Sequence, residues 1–467
     1  MGLYPYADKY PVVRAFPQHG RPHADILREI EEMSGVEDSP YHDGKISGSI
    51  YSGDEAHYAF LNEVFGHFSH ANVLQRDMYP SATRFEGEII AMTGDMLHAP
   101  LLESGVPCGV LTSGGTESLM NPLLVYREWG RERGITTPNV VLPVTAHPAL
   151  AKGAHYFGIE LRKAEVTDLY VADMASVRSL VDDNTVALVG SAGTYPHGLV
   201  DPIDEMSALA VERGINLHVD GCLGGFILAW GEELGYPVPM FDFRLPGVTS
   251  ISADTHKYGF SLKGSSVLLY RSAELRRHQY FIVPDWPGGL YTSPGMSGSR
   301  SGGIIAAAWA AMVGLGREGY LAIAGDIFST AAALRKAVEA VDELRVLGDP
   351  MFNVAFTTTE ASGLDIFLVN DFLTSRHWRL NGLQRPAAVH FCVTRPNTQP
   401  GVVERFAADL MEAVEYARAH VGEPAGSGAF YAGGVSREQV AAGMEWWLDA
   451  TQALPPALPP ARPPAQV

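Results

Sequence analysis

The chain has 467 residues, 46% of them hydrophobic, enough for two or three domains with substantial cores. Lys plus Arg (34) minus Asp plus Glu (53) leaves a net charge of −19, which argues against general affinity for nucleic acid or an anionic membrane surface. Cys108, Cys222 and Cys392 show neither metal-ligand spacing nor a disulfide framework, so reduced thiols and no bound metal are expected.

Along the chain, residues 1–70 read as an N-terminal arm, with a helix over 25–33 and a Gly/Ser loop at 44–51. The start lacks the apolar core of a signal peptide, and no run reaches transmembrane length. A soluble, cytoplasmic protein is expected, with export to a host cell left open. Apolar spacing predicts an amphipathic helix over 84–97. A glycine turn at Gly114-Gly115 then leads into a helix-like segment. Alternation follows: strand 140–144, helix 147–157, strands 159–162 and 186–189, helix 203–213, strands 215–219 and 248–251, and strand 265–270. This spacing predicts an α/β fold with a mostly parallel, doubly wound sheet over 71–315. A glycine-rich segment, 287–303, leads into a long helix over 304–341. A smaller C-terminal α+β domain, 316–450, has strand candidates at 352–356, 365–369 and 387–393 and a helix over 402–420. The Pro-rich end, 451–467, reads as a disordered or polyproline tail.

Chemistry concentrates at two strand ends. Asp220 closes the strand 215–219, and Lys257 follows the strand 248–251 in Ser252-Ala253-Asp254-Thr255-His256-Lys257-Tyr258-Gly259. Such a pair suits pyridoxal 5'-phosphate (PLP): the lysine amine forms a Schiff base, and the carboxylate keeps the pyridine nitrogen protonated. Gly115 and Thr116, at a helix N-terminus, offer N–H groups and a hydroxyl to the cofactor's phosphate, although a plain helix cap has the same residues. His147 at a helix start is open to a cap or to a ring against the cofactor's flat face. His256 is open to a phosphate contact, an imine contact or a loop-holding role. Lys263 is either a solvated turn residue or a cation at the mouth of the site. The loop Gly298-Ser299-Arg300-Ser301-Gly302-Gly303 is either a connector or a phosphate-closing loop at a dimer interface.

Taken together these segments resemble the PLP-dependent group II decarboxylase superfamily, which has the PLP-dependent transferase type I fold. Within it they resemble the sphingosine-1-phosphate lyases. The resemblance rests on 252–259 continuing through Lys263-Gly264-Ser265-Ser266, on His218-Val219-Asp220-Gly221-Cys222-Leu223-Gly224-Gly225-Phe226, on 190–202, on 44–51 and on 293–303. It implies a lyase that splits a phosphorylated sphingoid base by retro-aldol cleavage into a long-chain aldehyde and phosphoethanolamine. A PLP-dependent amino-acid decarboxylase is the alternative. It further implies that Lys257 carries the cofactor, Asp220 pairs with its nitrogen and His147 stacks on its ring. Gly115, Thr116, His256 and Ser299, its own or a partner subunit's, would hold the cofactor phosphate. Ser49, Tyr51, Lys263 and, as a further candidate, Tyr431 would bind the substrate phosphate, with Tyr195 near the reacting carbons. Tyr195, His256 and the freed Lys257 are all open as proton carriers. A homodimer sharing its active sites is implied as well. One departure is Gln75, which stands where the lyases carry a histidine; as a substrate-binding candidate it can still donate to a phosphate but carries no charge and cannot shuttle protons.

Overall fold

The computed structural model describes Tyr6, residues 8–427 and residues 437–454. Contacts divide the chain into two units, Pro40–Gly426 and a second formed by Met1–Ser39 with Ser427–Val467. In the second unit, helix α1 (His23–Glu37) carries the preceding segment along its side. Tyr6 donates to Glu37 at 2.9 Å, and Lys9 pairs with Glu32 at 2.6 Å.

The larger unit opens with a short turn of helix, α2 (Ser39–His42), then α3 (Glu55–Phe68) and α4 (Pro80–Met96). Asp54 caps α3 by accepting from the His57 N–H, and Pro80 opens α4 at the position where no N–H is needed. Alternation then begins: β1 (Cys108–Thr112), α5 (Gly115–Arg131), β2 (Asn139–Pro143), α6 (Pro148–Phe157), β3 (Glu160–Ala164), α7 (Met174–Leu180) and β4 (Thr185–Ser191). It continues through α8 (Ile203–Arg213), β5 (Asn216–Asp220), α9 (Gly225–Glu233), β6 (Ser250–Ala253) and β7 (Ser266–Tyr270). The seven strands form one sheet in the order β1-β7-β6-β5-β4-β2-β3. The strands from β6 to β3 in that order pair in parallel, and β7 is antiparallel to both β6 and β1. Every residue of β2, β4, β5 and β6 is buried, which is why these strands read as continuous apolar runs rather than alternating ones.

After the short α10 (Ala273–Arg276), a hairpin of β8 (Phe281–Val283) and β9 (Tyr291–Ser293) leads to α11 (Gly302–Glu339). This long helix is broken only at Gly316, whose φ of 59° is outside the helical range. A second, four-stranded antiparallel sheet in the order β10-β11-β13-β12 follows, made of β10 (Leu344–Val346), β11 (Asn353–Thr358), β12 (Asn381–Leu383) and β13 (Ala388–Cys392). Helices α12 (Ile366–Ser375) and α13 (Val402–Ala419) accompany it, and α14 (Arg437–Gln452) lies in the other unit. Among the described residues no helix is long and apolar enough to cross a membrane.

The strand expected at 365–369 is instead the start of α12. The Asp365 carboxylate accepts from the Phe367 N–H, so a capped helix outcompetes the β preference of the apolar run behind it.

A buried ion pair fastens the 293–301 loop to this frame. Arg300 reaches the two oxygens of Glu86 on α4 at 2.6 and 3.1 Å, and Arg76 adds a contact at 3.2 Å. Burial alone would raise the Glu86 pKa, but Arg300 overrides it and holds the carboxyl below its ordinary value. Its contribution is therefore full at neutral pH and is lost as pH falls through that depressed value. Glu86→Gln strands the Arg300 charge and should cost roughly 3–5 kcal/mol, read as a lowered melting temperature at pH 7 that converges with the parent protein's in acid.

Candidate active site

The site grows from the edge where the parallel strands end. Register sets Ser191 of β4 beside Asp220 of β5, and Asp220 beside Ser252 of β6. Ligand sites of open α/β sheets form at this carboxyl edge. Asp220 is buried and accepts from the Cys222 N–H at 3.0 Å. Residues 254–265 connect β6 to β7 and carry both lysines. The connection is tied across itself by Phe260 N–H to Lys257 C=O (2.9 Å), Ser261 N–H to Thr255 C=O (3.0 Å) and Thr255 Oγ1 to Ser265 Oγ (2.6 Å).

Lys257 Nζ lies 2.9 Å from Asp254 Oδ2. Burial disfavours the ammonium, but the Asp254 carboxylate outweighs it and raises the Lys257 pKa. Burial likewise opposes ionisation of Asp254, yet Lys257 and then His256 keep its pKa low. The other Asp254 oxygen, Oδ1, is buried and finds no hydrogen-bond partner among the described residues. His256 points Nδ1 at the Ser265 carbonyl, so Nδ1 carries the proton. Its Nε2 faces Asp254 Oδ2 at 3.6 Å, and burial lowers its pKa.

These groups border a cavity of about 310 Å³, together with Ser113, Gly115, Thr116, His147 and Cys222. Helix α5 begins at this cavity, and its cap residue, Gly114, brings no capping side chain, so the helix start presents backbone N–H groups there. Gly115 has to be glycine for closeness: a Cβ would meet Asp254 Oδ2 at 2.7 Å. His147 combines two of its sequence readings, capping α6 by accepting from the Ala149 N–H at 3.1 Å while also lining the cavity. The Cys222 thiol feels Asp254, Asp220 and Lys257 at once, so the two strand-end groups share a single neighbourhood.

Lys263 stands beside this cavity. Its Nζ is 4.8 Å above the Tyr51 ring, in the geometry of a cation–π contact. Partial desolvation and then the nearby Lys257 charge pull its pKa down to about 8, although the side chain still reaches solvent. Tyr51 is buried and meets Tyr258 edge-on at 4.9 Å. The 44–51 loop is held by Asn397, which donates to the Gly44 and Ile46 carbonyls at 2.9 Å each. Ser49 on this loop is exposed at φ 61°. Tyr195 is half exposed and close enough to Tyr51 to act on it electrostatically.

Two expected residues stand elsewhere within the chain. Gln75 lies in an exposed turn and does not line the Lys257 cavity. Ser299 accepts from Asn72 Nδ2 at 3.0 Å and borders a separate cavity of about 160 Å³ that shares only Ser113 with the first. Tyr431 lies outside the described residues. Sequence reasoning assigned no role to Asp254, although its place three residues before Lys257 in a strand-end turn was a usable signal. Nor did it single out Cys222 or Ser113 for the site.

The donor set fits PLP. An amine, the buried Asp254 carboxylate, an open helix N-terminus and an imidazole converge on a cavity that holds an unsatisfied carboxylate oxygen, and Asp220 lies buried close by. The sequence pattern of the pyridoxal-dependent decarboxylase conserved domain matches residues 10–359. Sphingosine-1-phosphate lyase of Dictyostelium discoideum is 40% identical over 407 residues, spanning 87% of this chain and 75% of that one. The solved structure of a Burkholderia pseudomallei sphingosine-1-phosphate lyase superposes with a TM-score of 0.90 at 51% identity, covering 97% of this chain and 100% of that one. A Lactobacillus brevis glutamate decarboxylase shares the fold at a TM-score of 0.76 and 20% identity, covering 88% of this chain and 97% of that one. The chain therefore belongs to the pyridoxal-phosphate-dependent decarboxylase superfamily and, within it, to the sphingosine-1-phosphate lyase family.

Proposed function

We propose that the protein cleaves phosphorylated long-chain amino alcohols of the sphingosine-1-phosphate type, releasing a long-chain aldehyde and phosphoethanolamine. The observation that carries this reading is a second cation, Lys263, held over the buried Tyr51 ring beside the Lys257 cavity. A substrate phosphate needs such a partner in addition to the lysine that binds the cofactor.

When bound, PLP supplies an electron sink for the pair left on the substrate when its carbon–carbon bond breaks. Lys257 would hold its aldehyde carbon and Asp220 its ring nitrogen. The N-terminus of α5, with Gly115, Thr116 and His256, would hold its phosphate, and His147 would lie against its ring. Lys257 starts protonated beside Asp254, so its amine must give up that proton before it can act as a nucleophile. Lys263, Tyr51 and Ser49 would receive the substrate phosphate. Tyr195 would work at the reacting carbons, within hydrogen-bond reach of the substrate hydroxyl.

A homodimer accounts for Gln75 and Ser299, which lie apart from the Lys257 cavity of their own chain. The β8–β9 hairpin supports it: Phe281 is 62%, Ile282 61%, Trp286 55% and Leu290 83% exposed, an apolar cluster suited to burial against a second copy. Residues 280 and 282 also border a cavity of about 800 Å³ lined by Arg76 and Arg276.

Incubation with sphingosine-1-phosphate and PLP should yield fatty aldehyde and phosphoethanolamine by mass spectrometry; carbon dioxide from amino acids in their place would point to a decarboxylase. Lys257→Ala should lose both turnover and the visible absorbance of bound cofactor. Lys263→Ala should raise KM for the phosphorylated substrate about 10- to 100-fold, the equivalent of roughly 1.5–3 kcal/mol for a charge-assisted contact. Lys263 is charged below its pKa of about 8, so KM should rise as pH climbs past 8, and Lys263→Arg should remove that limb. Phe281→Asp combined with Leu290→Asp should shift the protein to monomer in light scattering.

A further inference from the structure

The loops proposed to meet the substrate, 44–51 and 192–201, come from distant parts of the chain, yet one buried cluster joins them. His390 lies on β13 with no exposed surface. Its Nε2 is 2.9 Å from Asn381 Nδ2, an amide nitrogen that can only donate. Nε2 must therefore accept, and the ring proton sits on Nδ1, which donates to the Pro196 carbonyl at 3.0 Å. Asn381 Nδ2 also donates to Ser47 Oγ at 3.0 Å. Ser47 Oγ in turn accepts from the Cys392 N–H at 2.9 Å and donates to the His390 carbonyl at 3.2 Å. On the other side of His390, the Tyr195 ring stands edge-on to the imidazole, with centroids 5.0 Å apart and an interplanar angle of 72°. The Tyr195 carbonyl accepts from Asn353 Nδ2 on β11 at 2.9 Å.

We propose that His390 is a positioning residue for carbon–carbon cleavage: its Nδ1–H imidazole, fixed by Asn381 and Ser47, aims Tyr195 and ties it to the loop that carries Ser49 and Tyr51. This rests on the reading that Tyr195 works at the reacting carbons. Geometry makes the case, because an apolar side chain would fill the same space yet leave the Pro196 carbonyl without this donor and one Asn381 N–H without its acceptor. Burial pulls the His390 pKa down to about 4, which suits a ring that must stay neutral to accept from an amide.

The test compares the holoenzyme with Tyr195→Phe, His390→Leu, His390→Asn and the Tyr195→Phe/His390→Leu double variant, measuring kcat, KM, melting temperature and the visible cofactor spectrum. Tyr195→Phe should lower kcat. His390→Leu should lower kcat at least tenfold while KM for sphingosine-1-phosphate stays within twofold and the cofactor spectrum is unchanged. His390→Asn, whose amide N–H takes the place of Nδ1–H, should recover most of that loss. In the Tyr195→Phe background His390→Leu should cost nothing further, because the hydroxyl it aims is gone. Wild-type kcat in His390→Leu overturns the proposal alone, as does an equal loss in both backgrounds. If His390→Leu does not fold, a His390→Asn enzyme as impaired as Tyr195→Phe also overturns it. Wild-type kcat in Tyr195→Phe instead overturns the reading of Tyr195, and the role of His390 with it.

Discussion

Asp220 stands opposite Ser252 in the parallel pairing of β5 with β6, and the chemistry of the molecule hangs on that register. Side chains alternate faces along a strand, so a slip of one residue would turn Asp220 to the other side of the sheet. The same pairing delivers the chain to Asp254 at the carboxyl edge, after which β7 takes it back antiparallel through the core. Residues 254–265 are therefore pinned at both ends by central strands and cross-braced between. A covalent attachment point for a cofactor needs that rigidity, because small displacements of a reacting group are costly.

Charge at the site runs against the charge of the molecule. The chain is strongly acidic as a whole, yet its cavity gathers Lys257 and the N-terminus of α5, with Lys263 near Lys257. Asp254 is the counterweight. Lying against the α5 N-terminus and paired with Lys257, it stays ionised despite complete burial. Among the described residues Lys263 pairs with no carboxylate, and it sits near a like charge, which makes it the more easily neutralised of the two lysines. Near each other at one site, the two lysines are thus prepared differently, one as a tightly paired amine and the other as a cation short of an anion. A substrate that brings its own phosphate relieves that imbalance.

Much of the parallel core could be read from residues alone because its strands are buried on both faces and so appear as uninterrupted apolar runs. Lys257 and Asp220 were legible for the same reason, each following directly on such a run. Other features depend on partners that no local pattern reveals. Residues 365–369 have the composition of a strand, but the Asp365 cap on the Phe367 N–H opens a helix there that buries the same apolar residues. Strand β1 contains Gly109, a residue depleted in strands, and it is accepted here because a Cβ would press on Leu269 and Ile90. The β8–β9 hairpin sits in a glycine-rich stretch that resembles a plain connector. His390 looks like any polar residue in a strand; its partners Pro196 and Ser47 are 194 and 343 residues away in sequence. Gln75 and Ser299, singled out only by the resemblance, do not line the Lys257 cavity of the chain, and no periodicity in the sequence could have signalled this.

The claim beneath the whole reading is that the cofactor is carried by the lysine paired with Asp254 and by no other. Borohydride reduction of the PLP-loaded protein, followed by digestion and peptide mass spectrometry, locates that attachment directly. The pyridoxyl mass is predicted on Lys257 alone; finding it on Lys263 or another lysine, or nowhere, would contradict the arrangement described.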